Sequence, residues 1–248
     1  MNRTNILFLF LVASALFLSC GGNTASPLQG EGDTIPMRYA KNITMVRYGD
    51  NVVEVKLKNP WGEGLLGSYV LMEGPNSQLS TLNSQFSDGN SQPIHVPLKN
   101  ALVFTAVHCG LICELGMEQS IGGVCEKEYI HGLTKEVVDC GNGMSPNQER
   151  IIQLHPDAML VSPFESNTGH DKLGQLGIPI VECAEYMEPT ALGRAEWMKF
   201  YGLLLGKEKE ANAMFDALVA RYDSLSALVK NAATKPRILS EELYGSVW

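Results

Sequence analysis

Few of the side chains able to carry covalent chemistry fall into a pattern that would let them perform it. His108, Cys109 and Cys113 form the densest group, with two thiols four residues apart on a predicted helix and an imidazole beside them. Thiolate and imidazole ligands at that spacing suit a metal ion such as zinc. The competing reading treats Cys109 and Cys113, with Cys125, Cys140 and Cys183, as small buried hydrophobes. No C-x-x-C accompanies them, so the metal reading is set aside. The five histidines are scattered along the chain. There is no G-x-S-x-G, no G-x-x-x-x-G-K-[ST], no H-E-x-x-H and no G-x-G-x-x-G opening a helix. Gly141-Asn142-Gly143 reads as a loop. An enzyme on an α/β scaffold is thus left without recognisable machinery, and no cofactor is called for.

Charge narrows the partners. A net charge of −8 and a pI near 5.2 leave no basic stripe to neutralise phosphates, which excludes nucleic acid. At the N-terminus, Arg3 precedes an apolar run over 6–18 that is too short to cross a bilayer comfortably. It ends in Phe17-Leu18-Ser19-Cys20-Gly21-Gly22, which resembles a bacterial lipoprotein signal over 1–20 with Cys20 as the lipidated residue. Leu18 stands where a smaller residue is usual, and a plain secretory signal is the alternative. Residues 21–36 are small and polar, as suits a flexible tether. The expected product is exported and held to the cell membrane by lipid, facing the periplasm.

The elements that would position any site change character along the chain. Over 37–97 the pattern predicts a small β layer. Strands at 43–48 and 52–57 flank Gly49-Asp50-Asn51, a hairpin signal, and Val53, Val55 and Leu57 alternate with Glu54 and Lys56. A further strand is predicted at 68–72, and the polar segment 76–92 reads as loop. From 98 to 206, strands at 101–104, 121–124, 137–140, 158–162 and 178–183 alternate with helices. Thr105 caps the first helix, which Gly116 stops. Ser145-Pro146-Asn147-Gln148 reads as a capping box that opens the next, and a third is predicted over 171–176. Such alternation with short loops is the mark of a parallel sheet covered on both faces, with ligands beyond the carboxyl ends of its strands. A short helix then breaks at Leu205-Gly206, and a long one runs over 207–233, roughly 39 Å from 207 to 232 at 1.5 Å per residue. Ala211, Phe215, Leu218, Tyr222, Leu225 and Val229 share one face of it. Lys235 to Ser240 reads as the start of another strand.

Two runs carry a resemblance. Val137-Val-Asp-Cys-Gly-Asn-Gly-Met-Ser-Pro-Asn-Gln-Glu149-Arg-Ile-Ile-Gln-Leu-His-Pro-Asp157-Ala-Met-Leu-Val161 is similar to a segment of the periplasmic binding proteins that serve ATP-driven importers of iron chelates, haem and cobalamin. Leu192-Gly193-Arg194-Ala195-Glu196-Trp197 followed by Leu205-Gly206-Lys207-Glu208 resembles the entry to that family's backbone helix. The resemblance covers about 98–240. It implies a Rossmann-like parallel-sheet lobe joined by a rigid backbone helix to a second α/β lobe, with a metal chelate held between them and no catalysis. Glu149 then matches the acid that docks the first lobe onto arginines of the inner-membrane permease. Only the first strand of a second lobe is expected within 234–248, so the sequence reads as a truncated form of that architecture. Metal chelates are large, partly flat and often anionic, so aromatic, cationic and hydrogen-bonding groups are expected at the strand ends. Tyr129, Phe164, Tyr186 and Arg194 are the candidates, with Asn142, Glu165 and Asn167 as polar neighbours. A binder of free zinc or manganese, or an α/β enzyme of other chemistry, stays open as an alternative.

Overall fold

The computed structural model describes residues 32–74, 91–163, 173–234 and 236, all within one body, Glu31–Trp248. Its first layer is a five-stranded sheet of β1 (Asp33–Ile35), β2 (Ile43–Tyr48), β3 (Val52–Lys58), β4 (Leu65–Glu73) and β5 (Gln92–Val96), in that spatial order. The predicted β2–β3 hairpin is present, in the register Met45↔Val55, with Gly49 at φ 61° in its turn. Val53, Val55 and Leu57 face the core as their alternation requires. Glu54 is also buried, against expectation, and pairs with Lys56 at 2.9 Å. Strand β5 was not foreseen. Pro93 argues against a central strand, but β5 lies at the edge of its sheet, parallel to β4, where a missing N–H is tolerated. Most of the predicted 76–92 loop lies outside the described residues.

The second sheet carries the strand ends at which a ligand is expected. It contains β6 (Ala101–Val103), β7 (Ile121–Val124), β8 (Val138–Asp139), β11 (Ala158–Val161) and β12 (Ile180–Glu182), all parallel, in the order β12-β11-β6-β7-β8. A two-stranded hairpin, β9 (Gly141–Asn142) and β10 (Ser145–Pro146), stands apart from it. The side chains of this sheet divide between two clusters. Ala101, Val103, Ile121, Val124, Leu160 and Val181 face the first sheet's core and helices α1 (Ala106–Glu114) and α4 (Met198–Leu205). Leu102, Phe104, Met159 and Val161 face Ile151 of α2 (Gln148–Leu154) and Leu173. Both faces are thus covered, which is why these strands read as unbroken apolar runs.

The free edge of β12 is closed by the first layer. Outward N–H groups of Ile180 and Glu182 donate to Gln92 Oε1 at 3.2 Å and Tyr69 Oη at 2.9 Å. Side chains here replace a neighbouring strand and leave no edge to template association.

Helix ends follow local chemistry with one exception. Thr105 caps α1 by accepting from the His108 N–H, and Gly116 follows the helix at φ 70°. The α2 cap is Asn147, which accepts from the Arg150 N–H, not Ser145. Ser145 and Pro146 are instead paired with Asn142 and Gly141 in the hairpin, so the helix starts two residues later than the capping-box signal predicts. The helix predicted over 171–176 is described only from Leu173, and Gly177 ends it at φ 68°.

Helix α3 (Ala191–Glu196) and α4 lead through Gly206, at φ 66°, into α5 (Glu208–Val229). Ala211 and Phe215 are fully buried. Leu218, Tyr222, Leu225 and Val229, on the same face, are 37, 47, 56 and 61% exposed. Past Val219, α5 runs clear of the described body. The strand expected over 235–240 falls outside the described residues, residue 236 aside.

Candidate functional site

In the strand order β12-β11-β6-β7-β8, the chain reverses direction across the sheet between β6 and β11. The connections after those two strands leave on opposite faces, and ligands of open α/β sheets bind beyond the carboxyl ends at such a switch point. On one side lie Phe104, Thr105 and the first turn of α1, which has no acidic residue. On the other lie Ser162 and Pro163. The neighbouring strands supply the rim.

After β7, Cys125 is buried and Glu126 turns the chain in the left-handed region at φ 53°. Its Oε1 accepts from the Gly143 N–H at 2.8 Å, which ties the β7 loop to the β9–β10 hairpin. The short helical turn Lys127–Tyr129 then leaves Tyr129 67% exposed. After β8, Gly141 at φ 84° starts the hairpin, and Asn142 Oδ1 accepts from the Met144 N–H at 2.9 Å. Met144 is 67% exposed and Val107, on α1, 65%. After β12, the turn Glu185–Met187 is anchored twice. Glu185 Oε1 meets the buried His108 Nε2 at 3.1 Å, and the Tyr186 hydroxyl donates to the Pro163 carbonyl. The ends of β6, β11 and β12 are thereby held together by side chains.

Of the expected residues, Tyr129 and Asn142 stand on the β7–β8 side of the rim and Tyr186 on the β12 side. Asn142 holds its own turn, and Tyr186 spends its hydroxyl on Pro163. Arg194 is exposed in the last turn of α3, beyond the strand-end loops. Phe164, Glu165 and Asn167 lie outside the described residues, as does Cys20. Glu149 is exposed in the first turn of α2. His108 is a core histidine whose ring faces Glu185 and, at 6.0 Å between centroids, Tyr201.

Val107, Met144, Glu126 and Glu182 were not foreseen. Val107 and Met144 are apolar and would ordinarily be assigned to a core. Their only signal is position, one in the first turn after a buried strand and one in a Gly-Asn-Gly-Met turn.

Burial sets the protonation states here. It pushes the Cys125 thiol up to about 12, with nearby Cys140, Glu126 and Asp139 adding to it, and the Cys140 thiol up to about 11. Both remain thiols at neutral pH. Burial also raises the Glu182 carboxyl to about 7, and its Oε2 has no protein partner among the described residues. The native state therefore holds the Glu182 proton above the pH where the unfolded chain releases it. Its stabilising contribution is complete below the ordinary carboxylate pKa and fades as pH rises through about 7. Glu182→Gln is expected to stabilise the protein at pH 8 by about 1–3 kcal/mol and to change little at pH 4. Urea unfolding at the two pH values measures this.

A cavity of about 530 Å³ lies elsewhere, between the first sheet and the α4–α5 junction, lined by Arg47, Glu73, Pro97, Gly206 and Lys209 among others. It gathers none of the strand-end residues.

The sequence pattern of the periplasmic binding protein family matches residues 108–248. The chain belongs to that family. Periplasmic binding proteins of this kind are solute-binding components of ATP-driven importers, not enzymes. The chain is 24% identical over 245 residues to the uncharacterized lipoprotein MJ0878 of Methanocaldococcus jannaschii, covering 91% of this chain and 58% of that protein. It is 27% identical over 233 residues to the uncharacterized lipoprotein MJ0872 of the same organism, covering 85% and 56%. It thus spans little more than half the length of these two relatives. Among solved structures, the siderophore-binding protein FhuD of Vibrio cholerae, with bound Fe3+-Desferal, is 24% identical with a TM-score of 0.42, covering 54% of this chain and 52% of that one. The molybdate-binding protein MolA of Haemophilus influenzae is 15% identical with a TM-score of 0.48, covering 55% and 50%. The family match begins inside α1, so the first sheet of this periplasmic binding protein lies outside it.

Proposed function

We propose that the chain is the solute-binding lipoprotein of an ATP-driven importer, taking a metal chelate (an iron–siderophore, haem or cobalamin) at these strand ends and presenting it to an inner-membrane permease. The observation that carries this reading is the switch point between β6 and β11, with Val107, Tyr129, Met144 and Tyr186, all more than a third exposed, on the segments that follow β6, β7, β9 and β12. Exposed aromatic and apolar side chains on anchored turns suit a large, partly flat ligand. Phe164, Asn142, Asn167 and Arg194 complete the proposed contact set. Glu149 is the proposed docking acid, since its carboxylate is exposed and engages no other described side chain. Lipid on Cys20 would hold the protein at the membrane on the periplasmic side.

The proposal extends to α5. Its exposed stripe from Leu218 to Val229 would be covered by a second lobe, with the helix as the strut between the two. That agrees with relatives of which the matched region makes up 58% and 56%.

Titration of intrinsic tryptophan fluorescence against cobalamin, haemin and ferric siderophores tests the reading. Saturable quenching by one of them is the expected result. No quenching by any, together with a stoichiometric bound divalent ion, would replace the chelate reading with that of a free-metal binder.

A further inference from the structure

Among the described residues, two other than glycine take a left-handed backbone, Glu126 and His155. His155 does so as the C-cap of α2, where such a turn ends a helix. Glu126 stands at φ 53° and ψ 43° directly after the buried Cys125, and it ends no helix. Glycine adopts that backbone at less cost. A carboxylate held there points to a role for the side chain itself.

The hydrogen bonds of Glu126 supply that role. Its N–H donates to the Gly141 carbonyl at 2.9 Å, and its carbonyl accepts from the Tyr129 N–H at 2.9 Å. Its Oε1 accepts from the Gly143 N–H at 2.8 Å. One residue thus closes the turn that carries Tyr129 and holds the β9–β10 hairpin at two points, one in β9 and one in the bend that carries Met144. A methyl group on the Gly143 Cα would lie 3.5 Å from Glu126 Oε1 and 3.8 Å from Phe104 Cδ1. The bend therefore also lies against the ring that follows β6. Three further hydrogen bonds around the hairpin join residues close in sequence: Gly141 N–H to Asp139 Oδ1, Met144 N–H to Asn142 Oδ1, and Asn147 N–H to the Cys140 carbonyl. They shape the hairpin, whereas Glu126 ties it to the segment after β7.

We propose that Glu126 is a positioning residue of the ligand rim, its carboxylate latching the hairpin so that Met144 and Tyr129 are held in fixed relation before ligand arrives. The inference rests on the chelate-binding reading above and names a residue that acts through those two exposed side chains. Contacts fixed in advance lose less freedom on binding, so the latch sets affinity more than it sets the fold.

Three variants of the full chain decide the matter. Glu126→Ala removes the acceptor. Glu126→Gly removes it and relaxes the backbone as well. Glu126→Gln keeps a side-chain oxygen within reach of the Gly143 N–H. Hydrogen–deuterium exchange at Gly143 should quicken about tenfold or more in the first two and stay near the parent rate in the third. Fluorescence titration uses ferrioxamine B (a ferric trihydroxamate), haemin and cobalamin as probes. For a probe that the parent binds, Kd should rise about tenfold in the alanine and glycine variants, as loss of one charge-assisted hydrogen bond implies, and be largely restored in the glutamine variant. Circular dichroism and urea midpoints check that each variant folds. Exchange at Gly143 as slow in the alanine variant as in the parent overturns the latch. Faster exchange with an unchanged Kd, or a glycine variant that binds as the parent does, overturns its role in binding; in each case the chelate-binding reading survives. Binding of no probe by the parent overturns that reading and the positioning role with it, while the exchange result still decides the latch.

Discussion

Replacing Glu196 with alanine should lower the free energy of unfolding by about 3–5 kcal/mol, the usual cost of breaking a buried ion pair from one side. Glu196 is fully buried at the end of α3. Its two oxygens accept from the backbone N–H groups of Arg38, Tyr39 and Ala40 at 2.9, 2.7 and 3.0 Å, and from Lys199 Nζ at 3.0 Å. Glu188 grips the next two residues, accepting from the Lys41 and Asn42 N–H groups at 2.8 and 2.9 Å and from Trp197 Nε1 at 3.0 Å. These two carboxylates stitch the strand-entry segment of the first sheet to the α3–α4 junction. In the alanine variant, three backbone donors and a nearly buried ammonium lose their acceptor together. Burial alone would raise the Glu196 carboxyl, but the donors outweigh it and hold it below the ordinary carboxylate range. A depressed native value means its contribution is present above the ordinary carboxylate pKa and is lost as pH falls through the lower native one. Glu196→Ala should therefore be most damaging near neutrality, with the gap from the parent protein closing in acid. Urea midpoints across that range measure it.

The second large effect concerns α5. Phe215 is fully buried, meets the Tyr39 ring edge-on at 5.9 Å between centroids, and has Lys199 Nζ 5.0 Å from its ring centre. Leu192, Met198 and Val219 close around it. Phe215→Ala should cost about 3–5 kcal/mol through lost burial and the cavity left behind. Leu225→Ala, on the same helical face but 56% exposed, should fall within about 0.5 kcal/mol of the parent. Comparable losses from both would mean that the far half of α5 is covered in solution.

The contrast between those two residues marks where periodicity stopped being informative. Spacing assigned Ala211, Phe215, Leu218, Tyr222, Leu225 and Val229 to one face correctly, but it cannot say how far along the helix the partner surface extends. Locally encoded features were legible. Thr105 and Gly116 bound α1 because a hydroxyl cap and a positive-φ stop act within one turn. The short unbroken apolar runs located every strand of the parallel sheet. Features fixed by remote contacts were not. Ser145 loses its capping role to a hairpin held by Glu126, 17 residues from its Gly143 partner. Glu196 reaches backbone more than 150 residues away. In the candidate site, Tyr129, Asn142 and Tyr186 could be picked out because they follow predicted strands. Val107 and Met144 could not, since exposure of an apolar side chain is a property of the assembled rim.

The central claim is that ligand sits at the carboxyl ends of the parallel strands. Hydrogen–deuterium exchange on the full chain, with and without saturating ferrioxamine B, tests it most directly. The account predicts slowed exchange in the segments that follow β6, β7, β8, β11 and β12, around Val107, Tyr129, Asn142, Pro163 and Tyr186, with little change elsewhere. Protection centred on Arg47, Pro97 and Gly206, at the separate cavity by the α4–α5 junction, would contradict it.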